Sequence, residues 1–371
     1  MRFILFFPIL FFSLNSFAQE SLKNYPGVNG QILLMGQADY LATTDANNLS
    51  KENTIFYSQA DFALNFNKNW AIKTQWRSFP QSQIYSNQEF NFKRYYSFNN
   101  ENRGINLDDH AVVIEELKLD FENEDLHFYL GKFDPEFGTA HRKSKRIGVF
   151  TWQFNEDYNL REKIGGGISA LLENSIISFN TFFNDTTDLS KSAIKDRGTA
   201  SNQDGIAGSN GTLSSYSVSI NGKDFFGVDN LFYNFGYRNL GINSALDRHG
   251  ESGYVAGFEY LYHLSGRTNI VPLIEIVKIN DFGGASGRDA MYYTLSTVAN
   301  YSSWSASVTY NKKDIKATKG MNDKIADTML QMTIGYKIYQ NMTLDFTRAT
   351  INEDGDKSSL FGLNLSYLYR F

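Results

Sequence analysis

The chain has 371 residues, 42% of them hydrophobic and 20% charged, with a formal net charge of -5 and no cysteine. A mean hydropathy of -0.37 excludes a bundle of apolar membrane helices, and the lack of cysteine excludes a disulfide framework and thiol chemistry. Mild acidity without a dominant basic region argues against nucleic acid as a partner.

The first residues read as an export signal. Arg2 is the only charge before Glu20, Phe3 to Phe12 form an apolar stretch, and Ser16 and Ala18 supply a small-x-small exit. This predicts a signal peptide over 1–18, cleaved after Ala18, and a single mature domain over 19–371. The apolar stretch is shorter than the ~20 residues that a spanning helix needs.

Beyond the signal, long helical periodicity is missing and period-two segments of about ten residues recur. Strands are predicted to start near Ile32, Ile55, Trp70, His110, Leu126, Ile164, Ser175, Thr212, Asn230, Ser252, Thr268, Asp289, Ser303, Asp327, Met342 and Ser358. The count is about sixteen, an even number as bacterial membrane barrels require. In the last segment Phe361, Leu363, Leu365, Tyr367, Tyr369 and Phe371 share one face, and Gly362, Asn364, Ser366 and Arg370 the other. Trp304, Ala306, Val308 and Tyr310 alternate in the same way with Ser305, Ser307, Thr309 and Asn311. A dry core would not tolerate so many unpaired polar groups, whereas a wet lumen would. The fold class expected is therefore all-β, a transmembrane antiparallel β-barrel, with its apolar face against lipid.

The connections alternate in length. Short turns fall at Asn67 to Asn69, Glu122 to Asp125, Glu173-Asn174, Leu264 to Arg267, Ser302 and Gln340-Asn341, with Gly222 to Asp229 as the longer one on that side. Long polar loops take the alternate positions, among them Pro80 to Asp109, Asp134 to Lys163 and Asn184 to Gly211. An even strand count puts both termini on the short-turn side. Two strands break the pattern. Glu275 and Lys278 have opposite parity, which requires an interfacial position or a bulge, and Arg348 falls on the lipid face, where it must lie near the rim or snorkel.

The chain closes with Tyr367-Leu368-Tyr369-Arg370-Phe371, and this aromatic strand with a terminal Phe resembles the assembly signal of Gram-negative outer-membrane porins. Leu130-Gly131-Lys132-Phe133-Asp134-Pro135-Glu136-Phe137-Gly138 resembles the strand end and Pro-x-Phe-Gly turn of phosphate-selective porins, and its last four residues also resemble the start of the third loop of general diffusion porins. The resemblance implies an outer-membrane location, a homotrimer in outer-membrane lipid, recognition of Phe371 by barrel assembly machinery, and passive diffusion of small hydrophilic solutes or ions. It also implies that the loop from Asp134 to Lys163 folds inward and narrows the barrel. The chain departs from general porins in having no run of acidic residues on that loop.

The candidate constriction and pore-lining residues follow. Arg142, Lys143, Lys145 and Arg146 form a basic cluster beside His141, preceded by Asp134 and Glu136. Strand parity adds Lys73, Arg77 and Arg238 from the wall, with Arg77 as the expected partner of the loop, and also Asp39, Asp61, Glu116, Lys118, Glu259 and Lys337. If the basic cluster reaches the narrowest point, anions pass preferentially, because the nearest charges dominate a narrow pore. The bland alternatives are an outer loop facing water and wall charges that pair and brace one another.

No enzymatic pattern stands out. His110, His127, His141, His249 and His263 are not coupled to a Ser, there is no Gly-x-Ser-x-Gly elbow, and Gly165-Gly166-Gly167 precedes a strand and so makes no phosphate loop. No cofactor is expected. Asn352 to Asp356 reads as a solvated loop tip, with no metal assigned to it. The alternative function is a barrel that does not transport, acting as an adhesin or a lipid-acting enzyme.

Overall fold

Alternating side chains have one stable outcome when their apolar face is continuous from strand to strand: a sheet that closes on itself and leaves no edge. A computed structural model of the protein has this form. It describes residues 25–46, 52–80, 110–143, 154–197, 200–202, 204–242, 249–321 and 323–371. The region over 1–18 expected to be a signal peptide lies outside the described residues, as do Lys145 and Arg146.

The barrel strands are β1 (Gly27–Thr44), β2 (Glu52–Asn65), β3 (Trp70–Pro80), β4 (His110–Glu122), β5 (Leu126–Phe133), β6 (Lys163–Leu171) and β7 (Ser175–Asn184). A two-residue strand, β8 (Ala193–Ile194), lies in the next loop. The barrel resumes with β9 (Ser215–Gly222), β10 (Leu231–Leu240), β11 (Glu251–Tyr260) and its continuation β12 (Tyr262–Ser265). It ends with β13 (Thr268–Asn280), β14 (Ala290–Tyr301), β15 (Trp304–Ile315), β16 (Ile325–Tyr339), β17 (Met342–Glu353) and β18 (Asp356–Arg370). With β8 set aside and β11–β12 taken as one stave, sixteen staves run antiparallel and close where β1 pairs with both β2 and β18. At the seam Gly30 and Phe371 exchange backbone hydrogen bonds of 3.0 and 3.1 Å.

Facing follows parity. Leu363, Leu365, Tyr367 and Tyr369 are exposed on the outside of β18, while Leu360 and Asn364 are buried on the inside. Short turns are locked by their own side chains: Asn67 Oδ1 accepts from the amides of Asn69 and Trp70, and Asn123 Oδ1 from those of Asp125 and Leu126. The two misfits resolve without a bulge in their own strands. Glu275 points inward, Lys278 sits exposed on the outside two residues before the end of β13, and exposed Arg348 lies 5.7 Å from the Phe361 ring centre.

Of the register shifts elsewhere in the sheet, one bears on the interior. The β3–β4 register shifts between Gln75 and Trp76, so Glu115 and Glu116 both face inward. The triple glycine is a packing feature. A Cβ on Gly167 would sit 2.5 Å from the Tyr129 ring, which lies across the strand and donates to Asn180 Oδ1 at 2.5 Å.

Candidate functional site

The segment that follows β5 turns into the barrel. Pro135 to Gly138 makes the corner, and Gly138 takes φ +76°, a left-handed conformation that a Cβ would strain while also meeting Glu275 and Tyr158. The turn delivers two backbone N–H groups to the inner face of β13. Glu275 Oε2 accepts from Thr139 N at 2.6 Å and Ala140 N at 3.0 Å, and its other oxygen accepts from Tyr158 Oη at 2.7 Å. One buried carboxylate therefore staples both limbs of the segment to the wall opposite its origin.

Other walls hold it too. Glu136 accepts from Ser219 and Asn221 on β9, at 3.1 and 2.6 Å. Phe137 is fully buried with the Arg238 guanidinium 4.7 Å from its ring centre, and Arg238 on β10 also donates to Tyr158 O and Glu251, at 2.5 Å each. Lys313 on β15 lies 3.5 Å from Asp157 and 4.9 Å from the Phe154 ring. Arg161 donates to Glu115 on β4 and to Glu156, at 2.9 and 2.6 Å, and Arg77 pairs with the same Glu115. Asp134 accepts from the Glu162 amide at 2.8 Å and closes the base. Between these contacts lies a buried aromatic cluster of Phe137, Phe154, Tyr158, Phe282 and Tyr292.

Of the residues expected at the constriction, Lys145 and Arg146 lie outside the described residues, and the others have these places. Asp134, Glu136 and Arg238 belong to the fastened segment and its anchors, and Arg77 reaches it through Glu115. Lys73 stands apart, 2.7 Å from Asp120 near the short-turn end, where His127 also contacts Asp120 at 2.9 Å. Asp120, Glu122 and His127 hold possible ligand atoms within 4.8 Å of one another, but the Lys73 ammonium takes the position of a cation there. Arg142 and Lys143 lie on the one-turn helix Ala140–Lys143.

Parity alone did not identify Glu115, because a bulge has no signature in one sequence. Nor did it identify the outer clamp. Lys132, at the end of β5, contacts Glu162 at 2.8 Å, Asp185 at 2.7 Å and Leu189 O at 3.0 Å, and Arg197 pairs with Glu162. Burial raises the Glu162 carboxyl pKa, but the hydrogen bond and charge of Arg197 and the charge of Lys132 outweigh it and hold the group at about 2. Because β5 is shorter than β4, Ala111 and Val112 have no partner on it, and Ile194 and Ala193 of β8 pair with them.

The inner wall has two characters. Over β3 and β4 it carries Lys73, Arg77 and Lys118, each ion-paired with a carboxylate. From β16 through β18 and β1 to β2, the inward carboxylate Asp61 stands among the amides of Gln31, Gln59 and Gln75, whereas Asp327 lies 3.6 Å from Lys313. The inward bases on that arc, Lys337 and Arg370, are exposed at the short-turn ends of their strands.

The barrel is similar to those of solved outer-membrane proteins. The outer-membrane channel DcaP of Acinetobacter baumannii superposes with a TM-score of 0.57 at 11% identity, over 92% of this chain and 96% of that one. The chain has the fold of outer-membrane porins. An anion-selective porin from Comamonas acidovorans matches with a TM-score of 0.54 at 9% identity, over 92% of this chain and 99% of that chain. A loop-deletion mutant of OmpT, an outer-membrane protein of Vibrio cholerae, gives 0.55 at 9% identity, over 92% and 99% of the two chains. No protein-family model matches the sequence, and no curated protein does. At these identities the porin likeness is one of fold.

Proposed function

We propose that the protein is a passive diffusion channel of a bacterial outer membrane, carrying small hydrophilic solutes or ions past a constriction built by the segment 134–162. The observation that supports this is the fastening of that segment to inward-facing residues of β4, β9, β10, β13 and β15. A rim loop has no use for such contacts, and a fixed inward segment sets the width and field of a pore. OmpT of Vibrio cholerae occurs in a trimer form, and a homotrimer is the assembly to test here.

An anion preference needs Arg142, Lys143, Lys145 and Arg146 at the narrowest point. The wall bases Lys73, Arg77 and Arg238 add little to it, since each is neutralised by a carboxylate.

The buried aromatic cluster supports a second reading, a barrel whose lumen is plugged and which serves as an adhesin or surface enzyme. Single-channel recording in planar bilayers separates the two. Stepwise conductance from the purified protein is expected, with cysteines at Ser144 and Thr151 giving partial block after charged thiol reagents. Silent membranes at all voltages would favour the plug.

A further inference from the structure

The outside of the barrel changes character near the long-loop rim of β9, β10, β11 and β13. By register one outward row runs Val218, Tyr237, Tyr254 and Lys278, and the row above it Tyr216, Asn239, Ser252 and Asn280. The rings form a band, with Tyr216 and Tyr237 centred 5.9 Å apart and Tyr237 and Tyr254 5.0 Å apart. Tyrosine on a lipid-facing surface marks the level where acyl chains give way to headgroups. Beside the upper row opens a cleft of about 510 Å³, whose polar lining is Asn210, Thr212, Ser214, Asn239 and Ser252.

Two hydroxyls of the cleft are oriented by their neighbours. Ser214 Oγ accepts from Asn210 Nδ2 at 2.7 Å, and Ser252 Oγ accepts from Asn280 Nδ2 at 3.1 Å. With the oxygen engaged as acceptor, each O–H remains to donate. Lys278 adds charge. It is exposed, with no described carboxylate at ion-pair distance, and Asp289, an acid within its field, is held by Lys316 at 2.8 Å. Lys312, also outward near this rim, is by contrast neutralised by Asp314 at 2.6 Å. Donors beside an uncompensated cation, directly above an aromatic band, fit a ligand that is anionic and oxygen-rich at one end and hydrocarbon at the other.

We propose that this surface is a docking site for the phosphorylated-sugar headgroup of a lipid in the outer leaflet. The sugar oxygens enter the cleft, the phosphate meets Lys278, and the acyl chains lie along Tyr254 and Val218, which are exposed on the lipid side. Long loops face outward in barrels of this kind, which puts the rim at the outer leaflet. A soluble sugar phosphate would gain nothing from the aromatic band, so a lipid is the occupant. The site needs a barrel seated in a membrane but not an open pore. It therefore goes beyond the channel reading and stands or falls separately from it.

The test titrates the full protein in detergent with lipid A, a bis-phosphorylated disaccharide lipid, and counts bound molecules by native mass spectrometry. Phosphatidylglycerol, which has the phosphate but no sugar, is the control. Lipid A is expected to bind at least about tenfold more tightly, because only its sugar gains the hydrogen bonds of the cleft. Lys278→Gln should weaken both lipids about fivefold, the share of one basic residue at an anionic lipid surface. Removing the neutralised pair, Lys312→Gln with Asp314→Asn, should change neither. Asn239→Ala with Ser252→Ala should lower the affinity for lipid A alone. Heat-modifiable gel mobility checks that the variants remain folded barrels. Equal affinity for the two lipids, or the same response to Lys278→Gln as to the paired substitution, would overturn the proposal. Displacement of lipid A by an equal concentration of glucose 6-phosphate would overturn it too, by giving the cleft to a soluble solute.

Discussion

The inner walls over β3–β5 and over β16–β2 face one lumen and are built by the same alternation, yet they handle charge in opposite ways. On the first, cations and carboxylates are interleaved so closely that Glu115 serves both Arg77 and Arg161, and Asp120 lies against both Lys73 and His127. On the second, Asp61 is surrounded by the amides of Gln31, Gln59 and Gln75 at 2.6–3.1 Å. Paired charges cancel at short range and hold walls and loops together. Carboxylates solvated by neutral dipoles keep their field, which then acts on whatever passes.

Breaking the paired wall should have the largest effect. Glu115→Leu leaves two buried guanidinium groups without their shared anion, a loss of about 3–5 kcal/mol for a broken buried pair. Urea unfolding in lipid vesicles should show the midpoint falling sharply, and an unchanged midpoint would mean that the wall is not braced there. Next is the staple. Glu275→Leu removes the acceptor of both limbs of the inward segment, and charge-assisted hydrogen bonds contribute about 1.5–3 kcal/mol each. Its channels should be noisier and wider, and a current trace like that of the parent protein would argue against a fixed segment.

A smaller effect sharpens the contrast directly. Removing a neutral pair, Lys118→Met with Glu116→Gln, should leave the reversal potential in a salt gradient nearly unchanged. Adding one charge to the other wall, Asn364→Lys, should move it towards anions. Equal responses would abolish the distinction between the walls.

The clamp at Glu162 gives a pH signature. Its carboxyl lies near 4.5 when unfolded and at about 2 in the fold, so its stabilisation is complete above about pH 4.5 and fades as pH falls towards 2. Glu162→Gln should flatten that part of the acid-unfolding curve and leave neutral pH less affected. Smallest, and opposite in sign, Arg348→Leu on the lipid-facing side should stabilise the barrel, by about 0–1 kcal/mol for a guanidinium that reaches the interface, checked by the same urea titration.

Much of this was legible in the residues. The sixteen staves, their short and long connections and the inward Asp39, Asp61, Lys73, Glu116, Lys118 and Arg238 follow from period two, because a barrel has only two faces. The inward course of the segment after β5 was implied by Pro135-Glu136-Phe137-Gly138 through resemblance. What escaped was decided by contacts between distant parts of the chain. Glu115 turned inward through a bulge, and Lys132 found Glu162 and Asp185 from two different loops. Glu275, read in the sequence only for its opposite parity to Lys278, proved to be the anchor of the segment.

The seam has a kinetic consequence. β1 is flanked by β2 on one side and β18 on the other, so neither edge of the sheet is covered until the last strand has been made and delivered to the first. Until then the chain carries two strands' worth of unpaired N–H and C=O groups, a template for mispairing with its neighbours. Contacts so remote in sequence form slowly. Closure, with Gly30 meeting Phe371, is therefore the step at which a helper protein gains most by holding one edge while the other arrives.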